Sequence, residues 1–261
     1  MHISNNQISK YLICPKKYKL SREWEVRVEE KSPEMYIGIG FHEGIANYML
    51  THSEDKAFLK ALEEIPEGIE QREEVVEGVF ACLEGAWDYD RRYPQDVVST
   101  EMKFELPFIP GVTFVGYIDA LVDSEGLWVK EYKTTGSWSA DIFFEKYTFD
   151  RQALTYVWAA EKVLGSPIKG VCVEAVFKGK KWNVERRYFE YSKFYRDSWY
   201  YDTIMHVNSM QSARELNRFP KTENCIKNKN YKCEYWDYCA SEDNVNVLNS
   251  THIPKGEKGK I

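Results

Sequence analysis

Gly116-Tyr117-Ile118-Asp119-Ala120-Leu121-Val122-Asp123-Ser124-Glu125-Gly126-Leu127-Trp128-Val129-Lys130-Glu131-Tyr132-Lys133-Thr134 reads as two strands joined by a tight turn. The apolar residues on either side of Asp123-Ser124-Glu125-Gly126 favour extended chain, and that tetrapeptide carries turn chemistry. Side chains two apart on a strand share a face, so Glu131 and Lys133 project together while Tyr132 faces away. Asp119 can lie opposite them on the paired strand. Two carboxylates and an ammonium then meet on rigid elements in an otherwise apolar stretch.

The surrounding chain extends this reading. Strands are expected at about Thr100 to Phe108, Val112 to Val122 and Gly126 to Lys133, broken at Pro110-Gly111 and at the tetrapeptide above, which predicts an antiparallel meander. A helix follows from about Asp150 to Leu164, then strands at Gly170 to Phe177 and Asn183 to Tyr191, then a helix from Lys193 to about Leu216. This order predicts an α/β fold with a mixed central sheet flanked by helices. Before residue 95 the pattern is helical. Val76, Val79, Phe80, Leu83 and Trp87 fall on one face of the segment Arg72 to Tyr93.

Hard divalent cations take oxygen ligands and keep several waters, so Asp119, Glu131 and the backbone carbonyl of Tyr132 make a partial shell for magnesium or manganese. Such an ion polarises a phosphate and acidifies water, while Lys133 orients that water or neutralises developing charge. Gln152 and Tyr156 lie one turn apart on a helix and can reach one target. Gln152 suits the lysine or a phosphate, and Tyr156 a phosphate or a base. Gly38-Ile39-Gly40-Phe41-His42-Glu43-Gly44 places an imidazole at the start of a helix, from which His42 can join the same metal.

Bulk composition narrows the class without choosing the chemistry. With 261 residues, 43% apolar and 29% charged, the chain can bury a sizeable core, and it is not compositionally disordered. A net charge of -6 excludes a uniformly basic surface, yet binding of a phosphodiester needs only a local basic strip beside the carboxylates. No apolar run approaches the ~20 residues that cross a bilayer, and Met1 to Lys10 is polar, so a cytoplasmic protein without a membrane partner is expected.

In this order and with these gaps, His42, Gly116-x-x-Asp119, Glu131-x-Lys133 and Gln152-x-x-x-Tyr156 resemble the motifs of the RecB-like exonuclease branch of the PD-(D/E)XK superfamily. Cys14-Pro15-Lys16-Lys17-Tyr18 resembles that branch's N-terminal element. Ile118 stands where the superfamily name has proline. The resemblance implies a restriction-endonuclease-like core in a single nuclease domain over 1–240. Within it, 1–95 is mainly helical, 96–191 is the catalytic core and 192–240 is a helix with a cysteine segment, followed by a polar flexible tail at 241–261. It further implies that His42, Asp119 and Glu131 bind the catalytic metal, that Lys133 is the catalytic lysine, and that Gln152 and Tyr156 support substrate. The implied activity is metal-dependent hydrolysis of DNA, from the ends of single-stranded or frayed substrate, in recombination, repair or CRISPR spacer acquisition with a partner protein of that pathway. The rival reading is a catalytically silent DNA-binding or assembly subunit. Glu101, on the first strand, is either a supporting carboxylate or a surface residue.

Six cysteines are too few for a disulfide scaffold. Cys225, Cys233 and Cys239 cluster late, and the resemblance supplies Cys14 as a fourth ligand, since relatives that carry a cluster have one early and three late cysteines. Four thiolates suit a 4Fe-4S cluster or a structural zinc. The resemblance favours the former, although seven residues separate Cys225 from Cys233 where the family pattern has two. Cys82 and Cys172 read as small core residues.

Overall fold

A computed structural model describes residues 1–28, 32–178, 182–228 and 231–254. In chain order its elements are β1 (His2–Ile3), α1 (Asn5–Ile13), α2 (Pro15–Tyr18), β2 (Val26–Val28), α3 (Pro33–Thr51), α4 (Glu54–Glu63), α5 (Arg72–Arg92), β3 (Asp96–Ile109), β4 (Val112–Asp123) and β5 (Leu127–Thr135). There follow α6 (Ala140–Glu145), α7 (Arg151–Leu164), β6 (Gly170–Phe177), β7 (Asn183–Glu190), α8 (Lys193–Glu215), β8 (Ile226–Asn228), β9 (Tyr231–Lys232), α9 (Trp236–Ala240), α10 (Val245–Thr251) and β10 (His252–Pro254). The chain forms two compact units, one of Met1–His2 with Ser32–Trp199, the other of Ile3–Lys31 with Tyr200–Ile261.

The first unit is built on the mixed sheet. β3, β4 and β5 form the expected meander, β5 pairs parallel with β6, and β6 pairs antiparallel with β7. With β1 the sheet has six strands. The β4–β5 turn has local causes. Gly126 adopts φ 128°, a region open to glycine, and its N–H donates to Asp123 Oδ1 at 3.0 Å. The parallel β5–β6 pair needs a crossover, which α7 provides. Asp150 caps α7 by accepting from Ala153 N–H, and Gly165 ends it in the left-handed conformation.

Helices α3, α4 and α5 share one core with the sheet, in which Ile37, Phe41, Ile45, Val79, Leu83 and Ala86 meet Ala120, Tyr132 and Val176. His42, expected at the start of a helix, lies in the middle of one, because α3 begins at Pro33. Proline at the first position costs no hydrogen bond there. The glycines serve close packing: a Cβ on Gly44 would stand 2.8 Å from Leu83 Cδ1. Alternation along β5 turns Lys130 and Tyr132 toward one face of the sheet and Glu131 and Lys133 toward the other. Lys130 is fully buried, its ammonium 3.1 Å from Glu174, and Arg186 reaches the same carboxylate at 2.6 Å.

The second unit joins early and late chain. Ser4 and Gln7 form a capping box on α1, and the Tyr11 hydroxyl donates to Ser209 O at 3.0 Å. Lys16 pairs with Asp243 and Lys17 with Glu234, each at 2.8 Å. Leu20, Tyr235, Tyr238 and Leu248 form its apolar cluster. The stretch expected as a polar tail contributes to this unit: buried Leu248 belongs to α10, and β10 pairs antiparallel with β2. Among the described residues no helix is long and apolar enough to cross a membrane.

Candidate active site

The β4–β5 ladder ends at the pair Ala120 and Lys130. One position further, the carboxylate of Asp119 accepts the Tyr132 N–H at 2.9 Å, taking the place of a backbone rung. The strands part there, and the separation leaves room for functional groups between them. His42 Nδ1, from α3, lies 3.5 Å from Asp119 Oδ2. Glu131 is 3% exposed, and Lys133 ion-pairs with its Oε1. Its other oxygen, Oε2, is buried and has no hydrogen-bond partner.

Electrostatics follow from this crowding. Burial, followed by the charge of Asp119, pushes the Glu131 carboxyl up to about 7 against the pull of Lys133. Burial also raises Asp119, with Lys133 and the Tyr132 N–H opposing it. His42 is pushed down to about 4 by burial and then by Lys133, so its imidazole is neutral at neutral pH. Burial lowers Lys133, but Glu131 and Asp119 more than offset it and keep the ammonium charged.

Gln152 and Tyr156 share a face of α7 as their spacing requires. The Gln152 amide donates to the Tyr156 hydroxyl at 2.8 Å. Burial, with the charge of Glu131 next, raises the Tyr156 phenol, which places this pair within electrostatic reach of the carboxylates. Glu101 is exposed, with φ 47° in the middle of β3 between the residues that pair with Ala120 and Ile118. Partial desolvation, Asp119 and Glu43 push its carboxyl up to about 7. Lys146 has no place in any motif, yet its ammonium feels the charges of Asp150, Lys133 and Glu131. No periodicity could have found it, since its position comes from the fold of the segment between β5 and α7.

Among the described residues no three histidine, cysteine, aspartate or glutamate side chains are gathered as a metal ion requires. The site residues stand as two pairs, His42 with Asp119 and Lys133 with Glu131. The donor chemistry nonetheless fits a hard divalent cation. Burial raises the proton affinity of both carboxylates and the charge of Asp119 raises that of Glu131 further, one carboxylate oxygen is orphaned, and the neighbouring imidazole is neutral.

Nor do the described cysteines gather into such a group. Cys14 is buried, Cys233 and Cys239 are partly buried, and these described thiols form no ligand group; the Cys225 side chain lies outside the described residues. Cys14 lies between α1 and α2 and starts the turn into Pro15. Cys82 and Cys172 are fully buried in the core, where burial pushes the Cys82 thiol up to about 12.

Residues 2–240 match the model of the PD-(D/E)XK nuclease superfamily. The chain belongs to that superfamily. Among solved structures, a candidate exonuclease from Eubacterium rectale is 11% identical over 87% of this chain and 86% of its own, with a TM-score of 0.58, a likeness of fold. A second, SSO0001, is 15% identical over 76% of this chain and 85% of its own, with a TM-score of 0.32. No curated protein matches the chain.

Proposed function

We propose that this protein is a divalent-metal-dependent deoxyribonuclease, an exonuclease acting on single-stranded or end-frayed DNA. The observation that carries the reading is the placing of two pairs, His42 with Asp119 and Lys133 with Glu131, close enough beyond the end of the β4–β5 ladder for the charge of Asp119 to act on Glu131. His42, Asp119, Glu131 and the Tyr132 carbonyl would hold magnesium or manganese. Such an ion, when bound, polarises the scissile phosphate and lowers the pKa of a water.

The remaining work falls to the side chains. Lys133, charged and paired with Glu131, presents N–H donors to the attacking water or to a phosphoryl oxygen that gains charge. The water gives up a proton to solvent as its oxygen bonds to phosphorus, the bond to the leaving sugar oxygen breaks, and that oxygen takes up a proton from solvent. Gln152 and Tyr156, fixed to each other on α7, hold the strand.

The biological setting proposed is recombination, repair or CRISPR spacer acquisition in the cytoplasm, with a partner protein of that pathway. A 4Fe-4S cluster or structural zinc on Cys14, Cys225, Cys233 and Cys239 is proposed on one ground, that all four positions fall in the second unit. Incubation of purified protein with end-labelled single- and double-stranded DNA and RNA, with manganese, magnesium or chelator, tests the function. Metal measurement on the same preparation tests the cluster.

A further inference from the structure

Between Lys133 and Gln152 the chain runs out of β5, through α6 and into α7, and it carries an unusual set of exposed side chains. Trp138 is 89% exposed, and Phe149 is 66% exposed. Leaving an indole in water forfeits the burial that usually stabilises it. The loop that presents it is not slack. Ser137 N–H donates to Thr135 Oγ1 at 3.1 Å, and Ser137 Oγ donates to Ser139 O at 2.9 Å. Ser139 Oγ accepts from Ile142 N–H at 3.4 Å and caps α6. A hydrogen-bonded loop therefore holds an aromatic ring outward.

Trp138 follows Lys133 by five residues, a reach of at most ~18 Å even if fully extended. Phe149 directly precedes Asp150, the α7 cap, whose charge acts on Lys133 and Lys146. Lys146 stands over the rings of Phe143 at 4.4 Å and Tyr147 at 4.9 Å, so its ammonium is supported from below. Exposed aromatic rings on the same segment as a cation that feels the charges of Lys133 and Glu131 match the two chemistries of a nucleic-acid strand with free bases. A duplex hides its base faces in the stack and offers nothing to Trp138.

We propose that Trp138 and Phe149 are stacking platforms for the bases of a single nucleic-acid strand and that Lys146 takes one of its phosphates, so that the rim of the site selects unpaired strands. The proposal rests on the nuclease reading for its location, but binding tests it without cleavage. In chelator, fluorescence anisotropy with a labelled single-stranded oligonucleotide and an abasic strand of the same length gives the preference for bases. Trp138→Ala should weaken binding of the base-bearing strand by roughly 5- to 100-fold, as loss of a stacked base does elsewhere, and leave abasic binding nearly level. Trp138→Phe should recover most of the loss, and Lys146→Gln should reduce the salt slope by about 1. Equal affinities of wild type and Trp138→Ala for the base-bearing strand would overturn the proposal, as would an equal loss on the abasic strand. A protein that binds as described but cleaves nothing with metal present would overturn the nuclease reading and leave this one standing.

Discussion

Asp119 Oδ2 accepts the amide proton of Tyr132 at 2.9 Å, one step beyond the last backbone pair of β4 and β5. A side chain thus completes a ladder that the backbone has left. The same oxygen lies 3.5 Å from His42 Nδ1, so one carboxylate both holds the strands and faces the candidate metal position.

These two duties of Asp119 separate by substitution. Asp119→Asn keeps an oxygen to accept the Tyr132 N–H but removes the charge. Thermal unfolding should shift by no more than a few degrees, while DNA cleavage falls by about 10³-fold, ~4 kcal/mol of barrier. An active Asp119→Asn protein would place the metal elsewhere.

Cation affinity should depend on pH with a definite sign. The Glu131 carboxyl is raised to about 7, so below that pH a proton competes with the ion for the site. Binding of manganese, followed by calorimetry, should strengthen about tenfold per pH unit below 7 and level off above it. Without metal the sign for stability is opposite: a raised carboxyl pKa means the folded state binds the extra proton, so stability falls from the ordinary carboxylate range up to about 7. Metal-free protein should therefore melt lower at pH 8 than at pH 5.5, and manganese should reverse the difference. His42, lowered from 6.5 to about 4, opposes part of this fall, because between those values only the unfolded chain holds its proton and this contribution to stability grows with pH, ending near 6.5.

The charges on the far side of β5 should matter to stability. Glu174 is 1% exposed and receives both Lys130 and Arg186. Glu174→Gln leaves two buried cations without their anion and should cost about 3–5 kcal/mol in urea unfolding. Cleavage per folded molecule should stay nearly constant if the group only braces β5, β6 and β7.

Much of the site was legible because a strand's period is short. Glu131-Tyr132-Lys133 fixes which side chains share a face, and Asp123 to Gly126 fixes the turn that brings Asp119 opposite. The Gln152–Tyr156 contact follows from one helical turn in the same way. The helix start expected at His42 lies earlier, at Pro33, and the nearby glycines serve helix packing, Gly44 against Leu83 and Gly40 against Val79. Lys146 and Trp138 carried no local signal, since the exposure of one and the charges felt by the other come from the path of the chain between β5 and α7. The joining of residues 3–31 with 200–261 had no periodicity to announce it, for the ion pairs Lys16 with Asp243 and Lys17 with Glu234 span nearly the whole chain.

The cysteines divide by role under substitution. If a cluster joins Cys14 to the late trio, Ser at Cys14, Cys225, Cys233 or Cys239 should lower solubility and strip the metal from the protein. Cys82→Ala should then cost only core packing, about 1–3 kcal/mol. Anaerobic protein should be brown, with iron in proportion. Colourless protein with stoichiometric zinc would replace iron by zinc, and a folded, metal-free protein with reactive thiols at all four positions would remove both.

The most direct test of metal-dependent cleavage at this site is release of product from end-labelled single-stranded DNA by wild-type protein and by Lys133→Ala, with manganese and with chelator. Cleavage is expected only by wild type and only with metal, as a metal-dependent site centred on Lys133 requires. Cleavage by Lys133→Ala within about tenfold of wild type, a barrier change of only ~1.4 kcal/mol, or cleavage that persists in chelator, would contradict it.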